Sequence, residues 1–229
     1  MDKFVTSFFN ILFPKTCVSC ENPIYDKNNI LCSDCFSKLG FTYYKNFVEN
    51  PLYEKFIGQA NIEYAYALCY FYKDGILQHC LHALKYKGHK DVGTFFGKLI
   101  GYELNDIDPP VDIIIPVPLH PKKEKVRGYN QAEMIAKGVS KVLKIPIAIN
   151  IIKRTKFTET QTKKTKWERY DNLNGVFAIQ NSKSLANKHV LIVDDVITTG
   201  ATTVSLIDLL KDIENIKISV ACIGTPDKI

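Results

Sequence analysis

The chain has 229 residues, about one and a half times the usual single-domain size, so one core domain with a small appended module is expected. Hydrophobic residues make up 46%, charged residues 24% and aromatic residues 11%, a balance that excludes a disordered chain, a collagen-like repeat and a coiled-coil rod. Thirty Lys and Arg against 24 Asp and Glu leave a formal net charge of +6, a mild excess suited to an anionic partner. The first thirteen residues, MDKFVTSFFNILF, resemble a secretory signal, but Thr6, Ser7 and Asn10 interrupt the apolar stretch and no small-residue cleavage site follows. Phe4, Phe8 and Leu12 recur every four positions, which predicts a short amphipathic helix. No run approaches 18 apolar residues, so no transmembrane span is expected and the chain reads as cytoplasmic.

Seven cysteines follow, four of them in two tight pairs. Cys17-Val-Ser-Cys20, eleven intervening residues and Cys32-Ser-Asp-Cys35 form a C-x2-C-x11-C-x2-C arrangement. Each pair lets two thiolates from one turn reach the same ion, and the intervening stretch brings the second pair round to complete a tetrahedron. Four sulfurs leave no open position for a catalytic water, which points to structural zinc, with iron as the usual substitute. A redox dithiol would need only one such pair. Cys69, Cys80 and Cys222 lie in apolar, periodic surroundings, where a small buried hydrophobe is the default.

A polar, aromatic connector runs to Ile62. A strand is predicted over Tyr64 to Tyr72 and helices over Gly75 to Tyr86 and Asp91 to Leu104. His79 and His82 sit three apart on the first of these helices with no carboxylate beside them, so packing or solvent exposure is expected rather than ligation. Strand and helix signals then alternate: strand Val111 to Pro118, helix Asn130 to Leu143, strand Ile147 to Lys153, strand His189 to Val193, helix Ala201 to Leu210 and strand Ile216 to Ile223. Short, continuously apolar strands alternating with helices predict a mostly parallel α/β sheet covered on both faces.

The richest stretch is Val190-Leu-Ile-Val-Asp-Asp-Val-Ile-Thr-Thr-Gly-Ala-Thr202. A buried strand delivers Asp194 and Asp195 at its carboxyl end, where open parallel sheets bind ligands. The turn Thr198, Thr199, Gly200, Ala201, Thr202 offers successive backbone N–H groups at a helix N-terminus, three hydroxyls and a glycine that lets the backbone come close, the parts of a phosphate cradle. Two carboxylates beside it can accept hydrogen bonds from a vicinal diol, so the whole suits a ribose 5-phosphate. An acidic N-cap would explain one of these residues, not all of them.

This motif resembles the 5-phosphoribosyl-1-pyrophosphate (PRPP) signature of type I phosphoribosyltransferases. Taken with the cysteine pairs preceded by Leu12-Phe13-Pro14, Leu84-Lys85-Tyr86-Lys87-Gly88, Pro116-Val-Pro-Leu-His120, Arg127-Gly-Tyr-Asn-Gln131, and Arg154 with Thr158, Gln161, Arg169 and Asn172, the chain resembles the ComF family. That family joins a zinc module to a phosphoribosyltransferase domain and is linked to natural competence and DNA uptake. The resemblance implies a zinc-binding module over 1–50 with its short helix and a phosphoribosyltransferase-like domain over 51–229, divided into a hood or connector (51–105) and a core (106–229). It implies that Asp194 and Asp195 hold the ribose hydroxyls, that Thr198 to Thr202 hold the 5-phosphate, and that Pro116, Val117, Pro118 and Leu119, helped by Arg127, meet pyrophosphate with Mg2+. Residues 154–169 fall where related enzymes carry a loop that closes over the reaction, and Lys164 departs from the apolar residue more usual there. Purine-salvage relatives carry an aspartate where this chain has Thr198, which disfavours a purine acceptor.

Basic residues are concentrated. Lys122, Lys123, Lys125 and Arg127 against Glu124 leave +3, and residues 153–169 (Lys153, Arg154, Lys156, Lys163, Lys164, Lys166, Arg169 against Glu159 and Glu168) leave +5. Tyr129 and Trp167 interleave with these charges and are candidates to stack on bases, as single-strand binders require. Two readings stand: a ligand-binding scaffold that handles imported single-stranded DNA alongside DNA-uptake or recombination proteins, with Arg154, Lys163, Lys164, Lys166, Trp167 and Arg169 on the nucleic acid, or a working phosphoribosyltransferase, amidophosphoribosyltransferase-like or orotate-like, of unknown acceptor.

Overall fold

The structure, a computed structural model, describes residues 15–26, 28–155 and 176–227. The predicted N-terminal helix lies outside them, as do Lys163, Lys164, Lys166, Trp167 and Arg169. Among the described residues, six strands, β1 (Ala65–Phe71), β2 (Ile113–Pro116), β3 (Ile152–Arg154), β4 (Phe177–Ile179), β5 (His189–Val196) and β6 (Lys217–Pro226), accompany six α-helices, α1 (Ser33–Ser37), α2 (Ile76–Tyr86), α3 (Lys90–Glu103), α4 (Pro121–Arg127), α5 (Gln131–Leu143) and α6 (Ala201–Leu210).

The main sheet runs in the order β1-β6-β5-β2 with every pair parallel. Its strands are apolar on both faces because both are covered. Along β5, Leu191 and Val193 enter one core and Val190 and Ile192 the other, the period of two that a pleated strand imposes. The first core is closed by α2, α3 and α5, and the second by α6 and the short β3–β4 hairpin. Cys17, Ile24, Ile30, Leu31, Cys35 and Leu39 join the first of these cores, so the cysteine knuckle packs in continuity with the sheet. The connector after it covers the outer edge of β1, where Thr42 N–H donates to Leu68 O at 3.0 Å and Tyr70 N–H to Gly40 O at 2.7 Å. That edge is thereby closed to pairing with another chain.

Helices α3 and α5 cross with their backbones almost touching. A Cβ on Gly97 would lie 2.1 Å from the Ile135 carbonyl oxygen, and one on Gly138 would lie 2.4 Å from that of Thr94. Both obstacles are backbone, which a rotamer change cannot move. Gly97→Ala should therefore cost at least the upper end of the about 1–3 kcal/mol typical of overpacking. Thermal unfolding measures it, and an unchanged midpoint would contradict the crossing.

The expected strand over Ile147 to Lys153 is not formed as such. Ile147 bridges Ile114 in parallel and Ala148 N–H donates to Ile114 O at 2.8 Å, extending the sheet briefly beyond β2. Pro146 has no N–H to give, and Asn150 turns the chain at φ 72°, so pairing resumes only in β3, antiparallel to β4. The basic run Lys122 to Arg127 is helix α4, begun by His120 as N-cap and Pro121 in the first turn and ended by Gly128 at φ 81°.

Candidate functional site

The carboxyl ends of β2 and β5 lie side by side, with Pro116 in register with Val193. Asp194 and Asp195 follow on β5. Asp195 N–H donates to Asp194 Oδ1 at 2.8 Å and Val196 N–H to Asp195 Oδ1 at 2.7 Å, which fixes both carboxylates against their own backbone. Lys85, at the end of α2, places its Nζ 2.8 Å from Asp195 Oδ2. Burial alone would lower the pKa of this ammonium, but Asp195 and then Asp194 outweigh it and the net shift is upward. Among the described residues Asp194 has no ion-pair partner at contact distance. Burial, and then the charge of Asp195, push its carboxyl up to about 7.

Beyond the pair, Gly200 at φ 79° starts α6, a backbone conformation that favours glycine. Thr198, Thr199, Gly200, Ala201 and Thr202 line a cavity of about 50 Å³ with Asp194 at its edge. The turn is held from behind. Ile197 N–H donates to Gly224 O at 3.0 Å, Thr225 Oγ1 donates to Ile197 O at 3.0 Å, and Lys55 Nζ donates to Thr198 O at 2.6 Å. Lys55 also reaches Thr225 Oγ1 at 3.0 Å.

Across the mouth, residues 116–119 leave β2, and Asn130 Nδ2 donates to Val117 O at 3.0 Å while Asn130 Oδ1 caps α5 by accepting from Ala132 N–H at 3.0 Å. One side chain thus ties this loop to a helix start. Lys85 and Arg154 act on the acidic pair, and Arg127 and Lys123 lie near enough to Lys85 to interact with it. Burial and then repulsion from Arg154, Arg127 and Lys85 lower the pKa of Lys123. Arg154 also borders a cavity of about 440 Å³ on the far side of the loop, shared with His120, Glu124 and Glu133.

At the other end of α2, the Sγ atoms of Cys17, Cys20, Cys32 and Cys35 lie within 4.8 Å of one another, and Cys20 and Cys32 are 3.6 Å apart. Zinc–sulfur bonds of about 2.3 Å set tetrahedral sulfur–sulfur edges near about 3.8 Å, so the four thiols fit such an ion. Cys69, Cys80 and Cys222 are fully buried, and burial raises all three thiols, Cys69 and Cys80 to about 12. They behave as apolar side chains.

A phosphoribosyl transferase domain model matches residues 130–227. Competence protein F of Haemophilus influenzae is 42% identical over 101 residues, covering 44% of this chain and 44% of that protein. Competence protein ComFC of Bacillus subtilis is 28% identical over 135 residues, covering 58% and 52%. DNA utilization protein YhgH of Escherichia coli (strain K12) is 28% identical over 140 residues, covering 58% and 60%. Over these stretches the chain is similar to competence proteins of the ComF family and carries a phosphoribosyl transferase domain. It spans about half the length of the curated relatives it matches. Its parallel sheet with helices on both faces is a type I phosphoribosyltransferase fold, preceded by a cysteine cluster compatible with a zinc module.

The ComF stretch Arg127 to Gln131 acquires a physical reading residue by residue. Arg127 lies over the Tyr86 ring, Gly128 ends α4 in the left-handed region, Tyr129 OH donates to Leu84 O, and Asn130 clamps Val117. Tyr129 is therefore a buried strut, 6% exposed, and does not stack on a base as its basic surroundings had led us to expect. The structure brings Asp194 and Thr198 to Thr202 to one cavity, holds Asp195 next to it against Lys85, and sets Pro116, Pro118 and Leu119 on a second cavity bordered by Arg154. Of the basic segment over 153–169, only Lys153 and Arg154 are described, and Arg154 is close enough to Asp194 to act on it electrostatically. Two participants escaped the sequence reading, Lys85 and Lys55. The lysine inside Leu84 to Gly88 was a usable signal for the first, whereas nothing around Lys55 marks it.

Proposed function

We propose that the protein binds PRPP or a related ribose 5-phosphate ligand and takes part in natural competence, handling imported single-stranded DNA. The observation that carries the ligand reading is the Asp194–Asp195 pair at the end of β5 running directly into the small polar cavity at Gly200, with Lys85 and Arg154 acting on the pair. The carboxylates accept from the ribose hydroxyls, the turn N–H groups and hydroxyls take the 5-phosphate, and the cations offset the pyrophosphate charge, with Mg2+ arriving on PRPP. The names of the relatives, competence and DNA utilization proteins, support the DNA role. Zinc in the four-cysteine knuckle is structural, and the protein acts in the cytoplasm with DNA-uptake or recombination proteins. Among the described residues no helix is long and apolar enough to cross a membrane.

Calorimetry with PRPP and Mg2+ tests the ligand reading. Saturable binding, competed by ribose 5-phosphate and by pyrophosphate, is the expected result; absence of heat at millimolar PRPP overturns it. The Asn130 clamp on the pyrophosphate loop favours a second reading, turnover on the same site. A loop fixed against the leaving group stabilises charge as it develops at the anomeric carbon. Consumption of PRPP on adding an amine or a pyrimidine acceptor would establish that activity.

A further inference from the structure

We infer that Tyr86, held between His82 and Arg127 at the end of α2, is a base-stacking platform on which single-stranded nucleic acid passes beside the carboxylate pair of the phosphoribosyl site. The inference rests on the DNA-handling reading and names the surface that would carry it. Leu77, Cys80, Leu81, Ala83 and Leu84 face the core, which leaves His82 and Tyr86, four apart, on the outer face of α2. Tyr86 is 69% exposed, whereas the nearby Tyr129 is 6% exposed. The orientation of Tyr86 is nonetheless fixed from two sides. The His82 ring lies 5.0 Å away at 48°, and the Arg127 guanidinium, which comes from α4, lies 5.5 Å from the ring centroid.

The charge around this ring decides what covers it. Lys87 follows Tyr86 on an exposed turn, Lys90 opens α3, and Lys122, Lys125 and Arg127 stand on α4 with the half-buried Lys123. Of the nearby acids, Asp91 is engaged by Lys15 and His89, each at 3.6 Å, and Glu124 stands alone in α4 against its four cations. A protein partner would have to be strongly acidic here, whereas a polyanion with flat apolar groups matches both the cations and the ring. In a duplex the bases are already stacked on each other, so only a single strand presents a face to Tyr86. Lys85, the preceding residue, reaches Asp195 at 2.8 Å, so a strand on Tyr86 lies beside the carboxylate pair of the ligand site.

Fluorescence anisotropy of labelled oligo-dT on the full chain across a salt series tests the inference. Tyr86→Ala should weaken binding by about 5- to 150-fold, the range for loss of one stacked base, and leave the salt slope unchanged. Arg127→Gln should reduce the log-log slope by about 0.7, the contribution of one phosphate contact on a single strand. Tyr86→Trp should bind at least as tightly as wild type, and Tyr86→Ala should make no difference to an abasic oligonucleotide of equal length. If wild type fails to bind oligo-dT at low salt, the DNA reading itself falls. If wild type binds and Tyr86→Ala changes nothing, or weakens duplex and single strand alike, the platform falls while the DNA reading stands.

Discussion

Stripping the metal from the cysteine knuckle, or replacing Cys17 and Cys20 by Ser, should disorder residues 15–39 and lower the unfolding midpoint of the whole domain. Freshly purified, reduced protein should carry about one zinc per chain, because a closed four-thiolate site contributes folding energy of about 10–16 kcal/mol in zinc-finger peptides. Cys17 and Cys35 are 1% and 5% exposed, and with Ile24, Ile30, Leu31 and Leu39 they line the same core as Tyr66, Leu84 and Phe96. The knuckle also meets the domain through polar contacts, with Ser19 Oγ and His79 Nδ1 3.1 Å apart and Lys15 Nζ 3.6 Å from Asp91. Losing the ion would release those side chains to water and leave one side of α2 uncovered. The sheet and its second core, closed by α6 on the opposite face, should persist. Elemental analysis, circular dichroism and thermal unfolding read the three consequences. Metal-free protein as purified would overturn the zinc assignment, and an unchanged midpoint after chelation would overturn the shared core.

What could be seen in the sequence was what a short window contains. The cysteine pairs, the run from Val190 to Thr202 and the alternation of apolar strands with helices are all local patterns, and each led to an element or a cluster. What could not be seen depends on distance along the chain. Lys55 meets Thr198 across 143 positions, and Lys85 meets Asp195 across more than a hundred, so neither contact has a local signature. Tyr86 and Tyr129 show the same limit differently. Both are tyrosines among lysines, yet one is 69% exposed and the other 6%, because α2 ends with Tyr86 outward while Tyr129 turns in to the Leu84 carbonyl. The charge run from Lys122 to Arg127 hid a helix whose start and stop signals, Pro121 and Gly128, were present. The strand expected after Pro146 failed because a periodic apolar stretch, Ile145 to Ile152, contains a proline and an asparagine that break its ladder.

Neutralising the two aspartates should separate ligand binding from stability, because their surroundings differ. Asp194→Asn with Asp195→Asn removes two charged acceptors without changing shape. Hydrogen bonds to charged groups are worth about 1.5–3 kcal/mol each, so PRPP affinity should fall at least about a hundredfold. The single variants should move stability in opposite directions. Asp194 titrates at about 7 when folded, from an ordinary carboxylate value of 3.8. Between those values the folded domain keeps a proton that the unfolded chain has released, so wild-type stability falls as pH rises through that window and levels off above it. Asp194→Asn removes this burden and should raise the unfolding midpoint at pH 8, with the gain shrinking toward pH 4. Asp195 instead holds Lys85 at 2.8 Å, with the lysine side chain 28% exposed. Asp195→Asn leaves that ammonium without its ion-pair partner and should lower the midpoint, by less than the about 3–5 kcal/mol of a fully buried broken pair. Ligand binding should follow the same titration. A ribose diol needs the charged carboxylate, so wild-type affinity should rise from pH 6 to pH 8 with proton release, measurable by calorimetry in buffers of different ionisation enthalpy, and Asp194→Asn should flatten that rise. If both single variants lose stability at pH 8, Asp194 does not carry an uncompensated charge and the pH argument fails, whatever the affinity shows.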